Sequence, residues 1–118
     1  MTEILFLLFL LFVKHWYVDF VNQSMAEVES KGKYGDPLGL WHSIKHGIGT
    51  FIVFWFTDVT LIGVAILAII DTVIHYHVDW LKMNKGNRDI TTPQFWNHLG
   101  LDQLAHYTTY LILVWLMV

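Results

Sequence analysis

Four apolar runs, each joined at one end to a polar stretch, dominate this 118-residue sequence, and the order of the two halves alternates along the chain. The first run, Ile4 to Val13, comes before its polar end, Lys14 to Phe20. In the second, Trp41, His42, Lys45 and His46 come first and the apolar run Ile48 to Phe56 follows. The third starts apolar at Val59 and ends with Asp71, His75, His77, Asp79 and Lys82, and the fourth opens with His98, Asp102 and His106 and finishes apolar from Leu111 to Val118. Read as helices over about 3–23, 39–56, 59–83 and 93–118, the runs follow an up-down-up-down path that brings every polar end to one side.

The expected fold is therefore all-α, a four-transmembrane-helix bundle forming one integral membrane domain over residues 1–118. An apolar content of 55% and a mean hydropathy of +0.48 are too high for a soluble fold of this length. The uninterrupted apolar stretches fall short of the roughly 20 residues that a bilayer crossing takes, so the polar ends must dip into the membrane.

Segment 24–38 carries Glu27, Glu29, Lys31, Gly32, Lys33, Gly35, Asp36 and Pro37, the composition of a solvent loop with room for a short surface helix at its start. Thr57 and Asp58 offer N-cap oxygens ahead of the third helix, and Pro93 suits the first turn of the fourth. All seven Lys and Arg residues, at 14, 31, 33, 45, 82, 85 and 88, fall on the polar side. Positive charge marks that side as cytoplasmic, which puts both termini outside and the chain in the inner, or plasma, membrane. The first run is expected to be retained as a helix, because Thr2 and Glu3 replace the basic leader of a signal peptide and no small-residue cleavage site follows. Trp16, Trp41, Trp80 and Trp96 flank the polar ends as an interfacial belt would.

The chain has no cysteine, so any metal must be held by nitrogen and oxygen. It also lacks the dense basic stripe that nucleic acid requires. Each polar end carries two ligand-type residues four apart: His15 and Asp19, His42 and His46, His75 and Asp79, Asp102 and His106. Residues at that spacing share a helix face one turn apart and can grip a single ion. One such pair is commonly a local hydrogen bond, whereas four at matched depth place costly ionisable groups where a bundle interior uses them. Five imidazoles and three carboxylates suffice for two divalent ions, zinc or manganese by ligand type with iron as the alternative. Beside them, Gln23, Gln103, Lys82, Asp71 and His98 are expected to orient ligands or substrate, while His77 falls on nearly the opposite helix face.

In order and spacing these motifs resemble a family of small phage and bacterial membrane proteins known as domain of unknown function 3307. The matching residues are His15, Asp19, Phe20 and Gln23; His42 and His46; His75, Asp79 and Lys82; and Asp102, Gln103 and His106. The resemblance covers nearly the whole chain and aligns a lysine of the loop after the first helix with Lys31 or Lys33. It implies no activity, although the style is similar to that of inner-membrane metal-dependent hydrolases.

The leading expectation is a metal-dependent membrane hydrolase acting on a lipid or lipid-linked ester or phosphoester. All eight paired residues would be ligands, with Asp19 and Asp79 the candidates for general base. A non-haem di-iron oxygenase or desaturase is the second reading, weakened because Glu occurs only at positions 3, 27 and 29. A metal or proton pathway is the third; the apolar half offers only Glu3 and Asp58, so a continuous polar route would need a homo-oligomer. The last is a structural phage membrane protein using the pairs as interhelical glue.

Overall fold

A computed structural model describes residues 1–118, and every regular element in it is helical. Helix α1 (Thr2–Trp16) continues through a π-helical turn (Tyr17–Val21); α2 (Met25–Ser30) is short; α3 (Pro37–Trp55), α4 (Leu61–Lys85) and α5 (Pro93–Met117) are long. Local chemistry fixes the boundaries. Ser24 and Glu27 form a capping box at α2, and Asp36 caps α3 with Pro37 in its first turn. Thr92 and Pro93 do the same for α5. Helix α3 thus starts two residues before its expected position. Helix α4 starts two residues later, because Thr60 accepts from the Gly63 N–H while the Thr57 hydroxyl turns back to the Phe54 carbonyl.

Helix α1 packs on α3 and α5, α3 on α4, and α4 on α5, closing a ring of four, with α2 lying against α3. The C-terminal halves of α1 and α4 meet the N-terminal halves of α3 and α5, as the contacts among His15, Asp19, His42, His46, Asp79 and His106 require. At Gly47 the α3–α4 approach is so close that a Cβ would collide with the Thr72 hydroxyl.

Burial is inverted relative to a water-soluble bundle. One end holds an apolar core of Leu11, Phe54, Val64, Leu67, Tyr110, Leu113 and Val114. The other buries Lys14, His15, Asp19, His42, His46, Asp71, His75, Asp79, Asp102 and His106. Meanwhile Leu5, Phe6, Phe9, Ile52, Ile62, Ile69 and Trp115 lie exposed on the outside. Thr2–Val21 and Leu61–Lys85 are long and apolar enough to cross a membrane. The polar first halves of α3 and α5 keep those helices below the same threshold.

Candidate metal centre

The four-residue spacings converge as side chains. Asp19 is carried on the π-helical turn, where the Asn22 N–H reaches back five residues to the Tyr17 carbonyl. Such widened turns are frequent at functional sites. Asp19 Oδ1 lies 2.9 Å from His42 Nε2, 2.7 Å from His46 Nε2 and 3.5 Å from His75 Nε2. Across the cluster, Asp79 Oδ2 is 3.1 Å from His75 Nε2, and Asp79 Oδ1 is 3.2 Å from His106 Nε2. Ligand atoms around a tetrahedral ion with bonds of about 2.0–2.1 Å stand about 3.3 Å apart, which is the scale of these separations.

Two buried sets can each gather on one ion, Asp19–His42–His46–His75 and His75–Asp79–His106. His75 belongs to both, its ring stacked between His46 at 3.5 Å and His106 at 4.0 Å. A neutral imidazole nitrogen offers one lone pair, so His75 Nε2 can serve only one ion at a time. His75 Nε2, Asp79 Oδ2 and Asp102 Oδ1 are all buried without a hydrogen-bond partner. Buried polar atoms are seldom left so, and three facing one cluster fit a bound cation.

His15 and Asp102 lie in neither set. His15 Nε2 donates to Gln103 Oε1 at 2.7 Å and lies 3.2 Å from Asp19 Oδ2, while Gln103 Nε2 donates to Asp102 Oδ2. Asp102 Oδ1 stands 3.4 Å from His106 Nε2 and Lys82 3.6 Å from Asp102 Oδ2. Gln23 turns its amide to the Asp19 carbonyl. Of the expected supporting residues, His98 does not join: its Nδ1 accepts from the Asn87 N–H in the loop before α5. Each four-residue step drifts about 40° around a helix, so two steps from His106 carry His98 off the shared face. His77 bonds Tyr34, away from the cluster.

One turn toward the apolar end, Asp71, expected beside the ligands, instead anchors a knot with Lys14, Thr50 and Tyr110. Lys14 belongs by sequence to the bases of the polar side, yet it is buried, and its ammonium touches all three other long helices. It donates to Asp71 Oδ2 at 2.9 Å and to the Tyr110 hydroxyl at 3.2 Å, and lies 3.2 Å from His46 Nδ1. Gly49 leaves room for its stem, and Thr50 donates to the same Asp71 oxygen. Tyr110 in turn lies 2.7 Å from His15 Nδ1. With the Lys14 ammonium donating to its Nδ1, His46 holds its ring proton on Nε2, toward Asp19. The sequence carries a signal for the partners of Lys14, though not for Lys14 itself, because Thr50 follows His46, Tyr110 follows His106 and Asp71 precedes His75 by four residues in each case.

Above the cluster sits α2. Lys31, at its C-terminal end, is buried with its ammonium 3.3 Å from Asp79 Oδ2. Glu27 pairs with Lys45 at 2.6 Å and approaches His42 Nδ1 at 3.8 Å. Burial pushes the Glu27 carboxyl up, but the Lys45 ammonium and the Ser24 N–H outweigh it and hold the group below the usual carboxylate range.

A family model described as "Protein of unknown function (DUF3307)" matches residues 7–118. No curated protein and no solved structure matches the chain.

Proposed function

The chain belongs to the DUF3307 family, and on the geometry of its buried cluster we propose that it is a metal-dependent integral membrane hydrolase of lipid or lipid-linked esters or phosphoesters. The observation that carries this reading is the convergence of four histidines, from α3, α4 and α5, on Asp19 and Asp79, with ligand-type atoms left unpartnered inside an apolar exterior. Groups so costly to bury at membrane depth are functional by default.

The bundle spans the bilayer four times, up-down-up-down, with the cluster toward the cytoplasm and both termini outside. The exposed apolar side chains of all four long helices support this, as do Lys31, Lys33, Lys45, Lys82, Lys85 and Arg88 near the polar end.

Dividing the ligands as Asp19, His42 and His46 for one ion and His75, Asp79 and His106 for the other gives three protein ligands each, the count that leaves catalytic ions an open position. Zinc or manganese suits this nitrogen and oxygen set. Bound there, such ions supply Lewis-acid polarisation of an ester oxygen and hydroxide at neutral pH. Asp19 and Asp79, each with two oxygens, can hold a ligand bond and accept a proton from water. His15, steered by Tyr110 on one nitrogen and Gln103 on the other, fixes Asp19 from the side; Gln103 fixes Asp102. At the polar end of a bilayer-spanning bundle the site would face the ester and phosphoester linkages of lipid headgroups, which favours a lipid substrate.

The test is turnover. Detergent-purified protein is stripped, reloaded with zinc or manganese, and offered phosphoester and carboxyl-ester lipid analogues. Metal-dependent product release that Asp79→Asn abolishes supports the proposal; no hydrolysis of either class by metal-saturated protein rejects it.

A further inference from the structure

The segment between α1 and α3 carries a cation into the cluster, and its placement is built in. Residues 24–36 are pinned to α3 and α4 at several points. Ser30 Oγ accepts from the Gly39 N–H at 2.7 Å and donates to Asp36, while the Gly32 carbonyl accepts from Asn84. Gly35, at φ +85°, turns its N–H to the Tyr76 hydroxyl at 2.6 Å. On this frame Lys31 is 6% exposed, and its one ion-pair partner is Asp79 Oδ2. That oxygen makes no well-formed hydrogen bond and also faces His75 at 3.1 Å and His42 at 3.6 Å. The neighbouring lysine, Lys45, is already neutralised by Glu27 and bonded to Asn22.

The Lys31 ammonium thus occupies the side of Asp79 that the proposed metal reading, on which this inference rests, assigns to a dication. An ion on Asp79 takes that carboxylate's charge and leaves a buried ammonium uncompensated beside it, a costly state unless an anion arrives. Two dications against the three carboxylates Asp19, Asp79 and Asp102 leave one positive charge; Lys31 makes it two, and Lys82 beside Asp102 adds to the excess. We propose that Lys31 is an anion-binding residue and that the site takes a phosphate monoester, whose dianion would pair with the Lys31 ammonium beside the residues that would hold the metal. The carboxyl ester, neutral at its linkage, would leave that ammonium unpaired. Lysine is suited to this as a compact point charge on a flexible stem.

The experiment uses the full chain in detergent with zinc or manganese content measured in every sample. Inorganic phosphate and a short-chain phosphatidic acid are titrated separately as probes. Loaded wild-type protein is expected to bind one or both, tighter for phosphatidic acid if the phosphate comes from a lipid headgroup and tighter for phosphate if it is free in solution. Lys31→Met should keep its metal, or hold it more firmly because a competitor for Asp79 is gone, while losing about 10- to 100-fold in affinity for the phosphate probe, the range expected for one charged hydrogen bond. Lys31→Arg should retain most of it. A metal-replete Lys31→Met with wild-type affinity overturns the proposal, and so does loaded wild-type protein that binds neither probe. Wild-type protein that holds no metal rejects the underlying metal reading, and the role of Lys31 falls with it. Should Lys31→Met fail to fold, the loaded against the metal-free wild type and Lys31→Arg still decide: phosphate affinity indifferent to metal, or abolished in a metal-replete Lys31→Arg, contradicts the compensating-charge argument.

Discussion

The two ends of this bundle are built from the same four helices and obey opposite rules. At the apolar end, Leu11, Phe54, Val64 and Leu113 fill the interior with side chains that need no partner. At the polar end the same helices, with the α2 segment over them, bury imidazoles, carboxylates and two lysines, each of which is costly unless another group answers it. The difference shows where stability and chemistry reside: packing holds one end, and mutual satisfaction of charge holds the other. Lys14, with Asp71, Thr50 and Tyr110, is the layer at which the two regimes meet.

That layer is where the contrast breaks most easily. Lys14→Met leaves the Asp71 carboxylate buried without its counter-ion, a loss of about 3–5 kcal/mol in unfolding by a denaturing detergent. The double change Lys14→Met, Asp71→Leu should recover most of that loss, since the pair is replaced whole. Equal stability of the single variant and the wild type would mean the knot contributes nothing. At the apolar end, Leu11→Ala should cost about 2–5 kcal/mol through the cavity it leaves, yet metal stoichiometry should stay at the wild-type level. A metal loss matching the stability loss would show that the two ends are not separable. The smallest effect concerns the loop above the cluster. Because the Glu27 carboxyl is depressed in the folded state, the stability it contributes is complete above its unfolded value of about 4.3 and fades as pH falls through its folded value. The gap in thermal stability between wild type and Glu27→Gln should therefore be constant near neutrality and close in acid; a gap that widens in acid contradicts the Lys45 and Ser24 contacts.

Much of the polar end was legible because helices convert spacing into position. His42 and His46, His75 and Asp79, and Asp102 and His106 each mark one face, and alternation of polar and apolar halves indicates which ends meet. Three things were not legible. The π-helical turn that presents Asp19 has no signature in Tyr17–Val21. The inward direction of Lys14 depends on Gly49 and Asp71, both distant in sequence, so the residue reads as one more interfacial base. Lys31 lies in a stretch whose glycines and charges read as a solvent loop, and only its pinning by Ser30, Tyr76 and Asn84 turns it toward Asp79. His98 erred the other way, sharing the four-residue rhythm of α5 while the helix had already rotated it aside.

The most direct test of the central claim is elemental analysis of detergent-purified protein beside a His42→Ala, His75→Ala variant of equal purity and helical content. These two rings are chosen because neither Nδ1 is engaged by Lys14. The account predicts zinc or manganese at one to two ions per wild-type chain, lost from the variant. Wild-type protein that carries no metal, even after incubation with each ion, would contradict it and leave the cluster as a charge network with another purpose.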